Sequence, residues 1–444
     1  MMQGITSTKR IYPSYPKYKD AGIEWLARIP EGWKVKRLKD VALINPETLP
    51  ENTDSNFLMK YIDITGVTLD SLVADPVELY FKDAPSRARR VVKEDDVILS
   101  TVRTYLKAIA YFQEPEPNFI ASTGFAVLRA TQKVIPKFLY YLVRNQRFID
   151  SVMAYSVGVS YPAINSSTLG CLKVWLPTIE EQQAIVYLLD RETGKIDQLI
   201  EKKQKFIELM KEKRIALISN AVTKGLNPNI RMKESGIGWV GKIPEGWEAK
   251  KIKYVFVVIN GATPRSENPD YWNGEICWIT PDDLGKLQSD SIISSERQIT
   301  NEGYTSCGTT IVPAGSLVLS TRAPIGHLGI ANVSLCTNQG CRSLKFKNVQ
   351  NSKKYFYYLL SVLKNKFDSL GQGSTFKELS KTKLESVLIP YPNPVEQGQI
   401  ANFLDRETSK IDSLIQKIEI QIEKLKEYRT ALISETVTGR IMVE

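Results

Sequence analysis

The sequence predicts an α+β protein built twice: two mixed α/β domains separated by a long antiparallel two-helix coiled coil formed from two repeated helices. Three observations carry this expectation. At 444 residues the chain exceeds one core, since single cores stop growing near about 250–300 residues. It repeats itself at an offset near 215 residues. The repeated helical segments carry a narrow apolar seam in alternating steps of four and three, the pattern of a coiled coil.

Gly22 to Val41 (GIEWLARIPEGWKVKRLKDV) and Gly236 to Val255 (GIGWVGKIPEGWEAKKIKYV) match at 11 of 20 positions. Glu180 to Leu226 and Val395 to Ile441 match at 25 of 47 without a gap, sharing DRETxKIDxLI and ALIS. Between these blocks the halves agree only in fragments, such as VILSTVR (97–103) against LVLSTR (317–322), and GVSYPAI (158–164) against GSTFKEL (373–379). Segments that stay alike meet the same partner or each other, whereas divergent segments on one scaffold read different things. The expected division is 1–178 and 224–394 for the two domains, with helices at 179–223 and 395–437.

In the second helix the seam is Ile411, Ile415, Ile418, Ile422, Leu425 and Leu432. The equivalent positions of the first are Ile196, Ile200, Lys203, Ile207, Met210 and Leu217. Arg214 and Arg429 fall at equivalent seam positions too. A helix lying on a globular core carries a wider stripe, so the two helices are expected to pack on each other. Chain order makes them antiparallel, with the domains at opposite ends, roughly 60 Å apart at about 1.5 Å per residue. Segment 10–33 is then expected to meet the end of the second helix, and 224–247 the end of the first. Inside the domains VILST, IAYF, FAVLRA, SLVLST and SLKFK read as strands. FLYYLVRNQRFIDSV and KYFYYLLSVLKNKFDSL read as helices.

Lysines and arginines number 59 against 49 acidic residues, a formal charge of +10, and 43% of residues are apolar. The charge makes a polyanion a plausible partner, because neutralising phosphates releases counterions. The start, MMQGITSTKR, lacks the apolar run of a signal peptide, and no stretch approaches the roughly 18 apolar residues of a membrane span. A soluble, cytoplasmic protein with no membrane partner is expected. Five cysteines without CxxC spacing (Cys171, Cys277, Cys307, Cys336, Cys341) argue against a disulfide framework or zinc knuckle. His327 is the sole histidine, which removes most imidazole-based catalysis and metal binding.

No GxxxxGK[ST] occurs, and every Asn-Pro lacks the second proline that an amino-methyltransferase tetrapeptide requires. The GxGxxG at Gly236–Gly241 has no strand before it, and its counterpart at 22–27 loses the glycines. Pro281-Asp282-Asp283 with Lys286 faintly suggests a metal nuclease, but such a stretch also starts a helix. No catalytic residue and no metal ligand is assigned.

Binding chemistry remains. Arg87, Arg89 and Arg90 form a tight cluster, and Arg103, Tyr105, Lys107 and Tyr161 follow beyond a strand. Guanidinium forks suit phosphates or a guanine edge, and tyrosine adds a stacking surface. In the second half Arg265, Tyr271, Arg322, His327, Gln372 and Lys377 fall in loops about comparable strands. For any one of them a solvated charge or an ordinary salt bridge is the more ordinary role; it is as a set, recurring near STVR and STR in both halves, that they point to binding. The DRETxKID patches, with Asp190, Arg191, Glu192 and Lys195 in one copy and Asp405, Arg406, Glu407 and Lys410 in the other, read either as intrahelical ion pairs or as two equivalent docking sites for a protein present twice.

YPKYKDAGIEWLARIPEGWKVKRLKDV, RARRVVKEDDVILSTVRTYLKAIA, TPRSENPDYWNGEICWITPDDL, LVLSTRAPIGHLGIA and the doubled EQxxIxxxLDRETxKID together resemble the specificity subunit of type I restriction-modification enzymes, over nearly the whole chain. The resemblance implies two target recognition domains, each reading one half of a split double-stranded DNA sequence, and two helices that set the spacing. It implies that the helices bind two modification (N6-adenine methyltransferase) subunits, joined by restriction subunits that translocate and cut DNA. S-adenosylmethionine, ATP and Mg²⁺ would belong to those partners, with no cofactor in this chain. The alternatives are a stand-alone DNA nuclease or methyltransferase, and a tandem-repeat adaptor that binds only proteins.

Overall fold

The computed structural model describes residues 12–23, 26–69, 74–373 and 377–443. The expectations placed on residues 10, 11, 24 and 25 of the N-terminal block, and on 374–376 of GSTFKEL, lie outside them. The chain forms two compact units, Met1–Lys203 with Ile420–Glu444, and Gln204–Glu419. The sequence division separates domains from helices; compactness cuts through both helices and gives each unit a part of each.

Unit 1 holds strands β1 (Ala42–Ile44), β2 (Leu58–Ile62), β3 (Val77–Tyr80), β4 (Ala88–Val91), β5 (Asp96–Ser100), β6 (Ile109–Phe112), β7 (Phe119–Ser122) and β8 (Phe125–Ala130). They make two sheets, β1-β8-β5-β6 and β3-β2-β7-β4, antiparallel except where β7 runs parallel to β2. Strand β5 (DVILS) is buried at all five positions. Its centre, Val97–Leu99, shows no polar alternation because both of its faces are covered.

FLYYLVRNQRFIDSV, expected as one helix, is two: α1 (Pro136–Val143) and α2 (Gln146–Ala154). The break is chemical, since the Asn145 carboxamide accepts from the Arg147 N–H and caps a new helix. After the long helix α3 (Ile179–Lys224), unit 2 repeats the plan. Its strands are β9 (Phe256–Asn260), β10 (Trp272–Ile279), β11 (Ser291–Ile292), β12 (Gln298–Ile299), β13 (Leu317–Ser320), β14 (Leu328–Ala331), β15 (Leu335–Thr337) and β16 (Cys341–Phe346). The sheets are β9-β16-β13-β14-β11 and β12-β10-β15. Order β9-β16-β13-β14 repeats β1-β8-β5-β6, and the parallel pair β10–β15 answers β2–β7. The second expected helix also breaks, into α4 (Lys353–Val362) and α5 (Lys364–Leu370), ahead of α6 (Pro394–Val437).

Each unit pairs the helical segments it contains. In unit 1, Asp197 lies 2.9 Å from Arg429, and Lys203 donates to Gln421 at 2.6 Å. Rising numbers on one helix meet falling numbers on the other, so the segments are antiparallel. In unit 2, Arg214 meets Asp412 at 2.9 Å, while Ile218, Ala221 and Val222 share a core with Ile400, Ala401 and Leu404. Ile196, Ile207, Ile411, Ile415, Ile418, Ile422 and Leu432 are buried, and Ile200, Met210, Leu217 and Leu425 partly so.

One buried clamp appears in both units. Gln182 accepts from the Ile135 N–H (2.8 Å) and donates to the carbonyls of Pro177 and Lys133. Gln397 accepts from the Ser352 N–H (2.9 Å) and donates to Pro392 O and Asn351 Oδ1. Each long helix is thereby locked at its start to the loop that opens α1 or α4. The N-terminal block closes on the other helix end, where Tyr18 donates to Gly439 O at 3.0 Å and Met442 N–H to Pro13 O; Trp175, in the strand ahead of α3, donates its Nε1–H to Val437 O. In unit 2 the Val222 carbonyl takes the Tyr355 hydroxyl instead, at 3.1 Å.

Candidate nucleic-acid interface

The polar loops that the repeat left divergent hang on one backbone frame. After β5 the chain runs through Thr101 to Arg103, and after β13 through Thr321 to Arg322. In unit 1 the Val157 and Ala163 N–H groups donate to each other's carbonyls (2.9 and 3.0 Å), and Ile164 N–H donates to Thr101 O. In unit 2 Gln372 and Glu378 exchange the same two bonds (3.0 and 2.9 Å), and Leu379 N–H donates to Thr321 O. A reciprocal pair of main-chain bonds therefore lies beside the post-strand arginine in both units, at the repeat's own offset of 215.

The side chains on this frame differ. In unit 1 the Arg103 guanidinium lies 4.6 Å from the centroid of the Tyr161 ring, a cation–π stack. Tyr161 is 60% exposed, and Val157 and Val159 are more exposed still. Arg103 and Lys107 both adopt the left-handed region (φ 52° and 54°) and pin the Thr104–Leu106 turn, on which Tyr105 stands exposed. Lys107 donates to Gln146 of α2 at 2.9 Å, so its charge is directed at its own unit. In unit 2 the Arg322 Nε meets Glu378 Oε2 at 2.9 Å, and Arg342 Nη2 meets Glu378 Oε1 at 3.0 Å. Lys377 pairs with Asp368 at 2.7 Å, and Gln372 is exposed. His327 is half-buried, its N–H bound to Ser320 Oγ and its ring against Gly285.

The remaining candidates are more embedded than their composition suggests. Arg87 is exposed but ion-paired to Asp63 at 2.6 Å and bound to the Tyr61 hydroxyl. Arg89 stacks 4.6 Å from the Phe81 centroid. Arg90, half-buried on β4, donates to Thr48, and burial holds its guanidinium below its ordinary value. The three-arginine cluster is thus not a free basic patch, because alternation along β4 turns neighbours to different faces. Tyr271 is packed with Trp272, Trp278 and Ile299 rather than presented on a loop. Arg265 is exposed, and its carbonyl accepts from Trp272 Nε1. Sequence reading missed Glu378 and Arg342, since nothing in their local pattern says that two strand-distant side chains share a carboxylate.

The DRETxKID motif resolves position by position. Asp190 accepts from the Tyr141 hydroxyl (2.7 Å) and pairs with Lys137 (2.8 Å); Asp405 does the same with Tyr358 (2.6 Å) and Lys354 (3.4 Å). These two aspartates, expected among the partner-docking residues, instead bind the long helix to α1 or α4 of their own unit. Burial first, and then the carboxylate, push the Tyr141 and Tyr358 phenols up, so both stay protonated and donate. Thr193 and Thr408 are buried and bond back to Leu189 O and Leu404 O. Asp197 and Asp412 hold Arg429 and Arg214. What stays outward is a triad: Glu192 with Arg191 (2.8 Å) and Lys195 (3.0 Å), and Glu407 with Arg406 and Lys410 (both 2.9 Å). Lys195 and Lys410 foremost, then the arginines, hold these glutamates below the usual carboxylate range. The two triads have the same geometry.

In the Pro281-Asp282-Asp283 stretch, Asp283 accepts from Thr280 N–H and Oγ1 in a capping box at the start of Pro281–Gly285. Gly236–Gly241 joins two hairpin strands, Met232–Ile237 and Gly241–Pro244. Among the described residues no group of three or more His, Cys, Asp or Glu could hold a metal ion, and no helix is long and apolar enough to cross a membrane.

The family model described as the type I restriction modification DNA specificity domain matches twice, at residues 30–209 and 244–424. The type I restriction enzyme MjaIX specificity subunit of Methanocaldococcus jannaschii is 41% identical over 189 residues, which cover 42% of this chain and 43% of that protein. The MjaVIII specificity subunit of the same organism is 24% identical over 431 residues, 94% of this chain and 95% of that one. A chain of a type I R-M system, solved in work on its complex assembly and conformational transition, superposes with a TM-score of 0.74 at 25% identity, covering 93% of this chain and 99% of the other.

Proposed function

The chain belongs to the type I restriction-modification DNA specificity family, and we propose that its two units each read one half of a split double-stranded target. In this reading the chain is the non-catalytic selector of a larger complex. The observation that carries it is the pair of main-chain bridges, Val157–Ala163 and Gln372–Glu378, alike in hydrogen bonding and unlike in side chains, beside Arg103 in one unit and Arg322 in the other. Identical frames with different surfaces are what a two-part reader needs, because backbone fixes position and side chains fix base preference.

The paired helices α3 and α6 set the number of unread bases between the halves. The Arg191-Glu192-Lys195 and Arg406-Glu407-Lys410 triads supply two equivalent docking sites, one for each of two modification subunits, and restriction subunits join through that assembly. S-adenosylmethionine, ATP and Mg²⁺ act on those partners, and the complex works in the cytoplasm.

Mapping methylated adenines in cells carrying this chain with its modification partner tests the reading directly. Expected is a two-part motif with a fixed gap. Removing one heptad from both helices is expected to change the gap and leave both halves intact. Altered halves at an unchanged gap would defeat the spacing role. Methylation by the purified chain alone would defeat the non-catalytic role.

A further inference from the structure

We infer that Arg322 is a guanine-reading residue and that Glu378, backed by Arg342, is the positioning residue that aims it. This deepens the proposal above and rests on it, since it assumes that unit 2 contacts DNA.

Arg322 gives its Nε to Glu378 Oε2 at 2.9 Å, a side-on tether that leaves both terminal nitrogens for a partner ahead of them. Glu378 is itself fixed. Its other oxygen takes Arg342 Nη2 at 3.0 Å, and Arg342 Nη1 is held by the carbonyls of Gln339 and Cys341. The backbone of Glu378 is bridged to both Arg322 and Gln372. Arg342 is nearly buried, whereas the Arg322 side chain is 44% exposed, so a rigid base carries an outward fork.

Charge then chooses between two acceptors. A phosphate needs positive potential and tolerates any approach, and a carboxylate beside its arginine would repel it. A guanine edge offers two neutral acceptors, O6 and N7, in a fixed geometry that rewards orientation. Tethering sacrifices potential and gains orientation, which suits the base. Unit 1 provides the contrast, because Ala163 stands where Glu378 does and Arg103 is steadied by an uncharged ring.

The test uses the full chain in complex with its modification subunits and a duplex carrying the motif from methylation mapping. Each guanine of the unit-2 half is replaced in turn by 7-deazaguanine, which lacks the N7 acceptor. Wild type is expected to lose roughly 5- to 150-fold in affinity at one guanine. Arg322→Lys keeps the charge and is expected to lose that sensitivity, with the salt dependence of binding unchanged. Glu378→Gln is expected to flatten preference at the same base pair while reading of the unit-1 half stays intact, which a folding defect would not spare. The inference is overturned if Arg322→Lys behaves as wild type, or if Arg322→Ala weakens all sequences equally and lowers the salt slope by about one, the mark of a phosphate contact. A complex that binds no two-part site at all overturns the underlying proposal as well. A complex that binds it with no deaza-sensitive guanine in the unit-2 half overturns this inference alone.

Discussion

The two units solve one mechanical problem identically and one chemical problem differently. Both lock a long helix with a buried glutamine, both bond an aspartate of that helix to a tyrosine hydroxyl, and both set a two-bond main-chain bridge beside an arginine. Yet unit 1 steadies its arginine on an aromatic face, and unit 2 does so with a carboxylate. The frame and the two outward triads are copied, and the side chains beside the post-strand arginines differ.

The largest effects should fall on the copied parts and be equal in the two units. Trp33 and Trp247 are both about 1% exposed, so truncating either to Ala is expected to cost about 3–5 kcal/mol in denaturant unfolding of the full chain. A large inequality would break the claim of a shared frame. Next, Gln182→Ala and Gln397→Ala should each cost about 2–3 kcal/mol, because each leaves buried main-chain groups without partners; thermal melts of the two variants should move together.

A smaller difference should separate the units. Trp33 Nε1 donates to Glu181 at 3.0 Å, with Tyr15 on the same oxygen, whereas Trp247 Nε1 is buried without a hydrogen bond. Replacement by Phe is therefore expected to be costlier at 33 than at 247 by about 1 kcal/mol. In DNA binding, Tyr161→Ala removes the stack under Arg103, and a loss of about 0.5–2 kcal/mol is expected. It should be confined to the half-site read by unit 1, and a loss shared by both halves would end the assignment of separate readers. The interhelical pairs Asp197–Arg429 and Asp412–Arg214 should matter least. Both aspartates are about half-exposed, so neutralising either is expected to cost no more than about 1 kcal/mol, shrinking with salt.

Much of this plan was legible in the sequence because repetition writes it twice. The 215 offset, the strand runs VILST and LVLST, and the seam from Ile411 to Leu432 are local periodicities, which a chain displays whatever it packs against. The helix breaks after Val143 and Val362 were not legible, because the apolar period continues across them and only the Asn145 cap interrupts the first. The roles within DRETxKID were hidden for a related reason. Spacings of three and four serve ion pairs, capping and docking alike, and the Tyr141 and Tyr358 that claim Asp190 and Asp405 stand some fifty residues away. Glu378 was least visible, since its meaning depends on Arg322 and Arg342 arriving from other strands.

Val157 with Ala163, and Gln372 with Glu378, are joined through the main chain alone. They are fastened by peptide groups, which every residue except proline can supply, so the side chains these residues carry can be exchanged without loosening the bonds. A reader built this way changes what it recognises through a few side chains and keeps its scaffold unaltered.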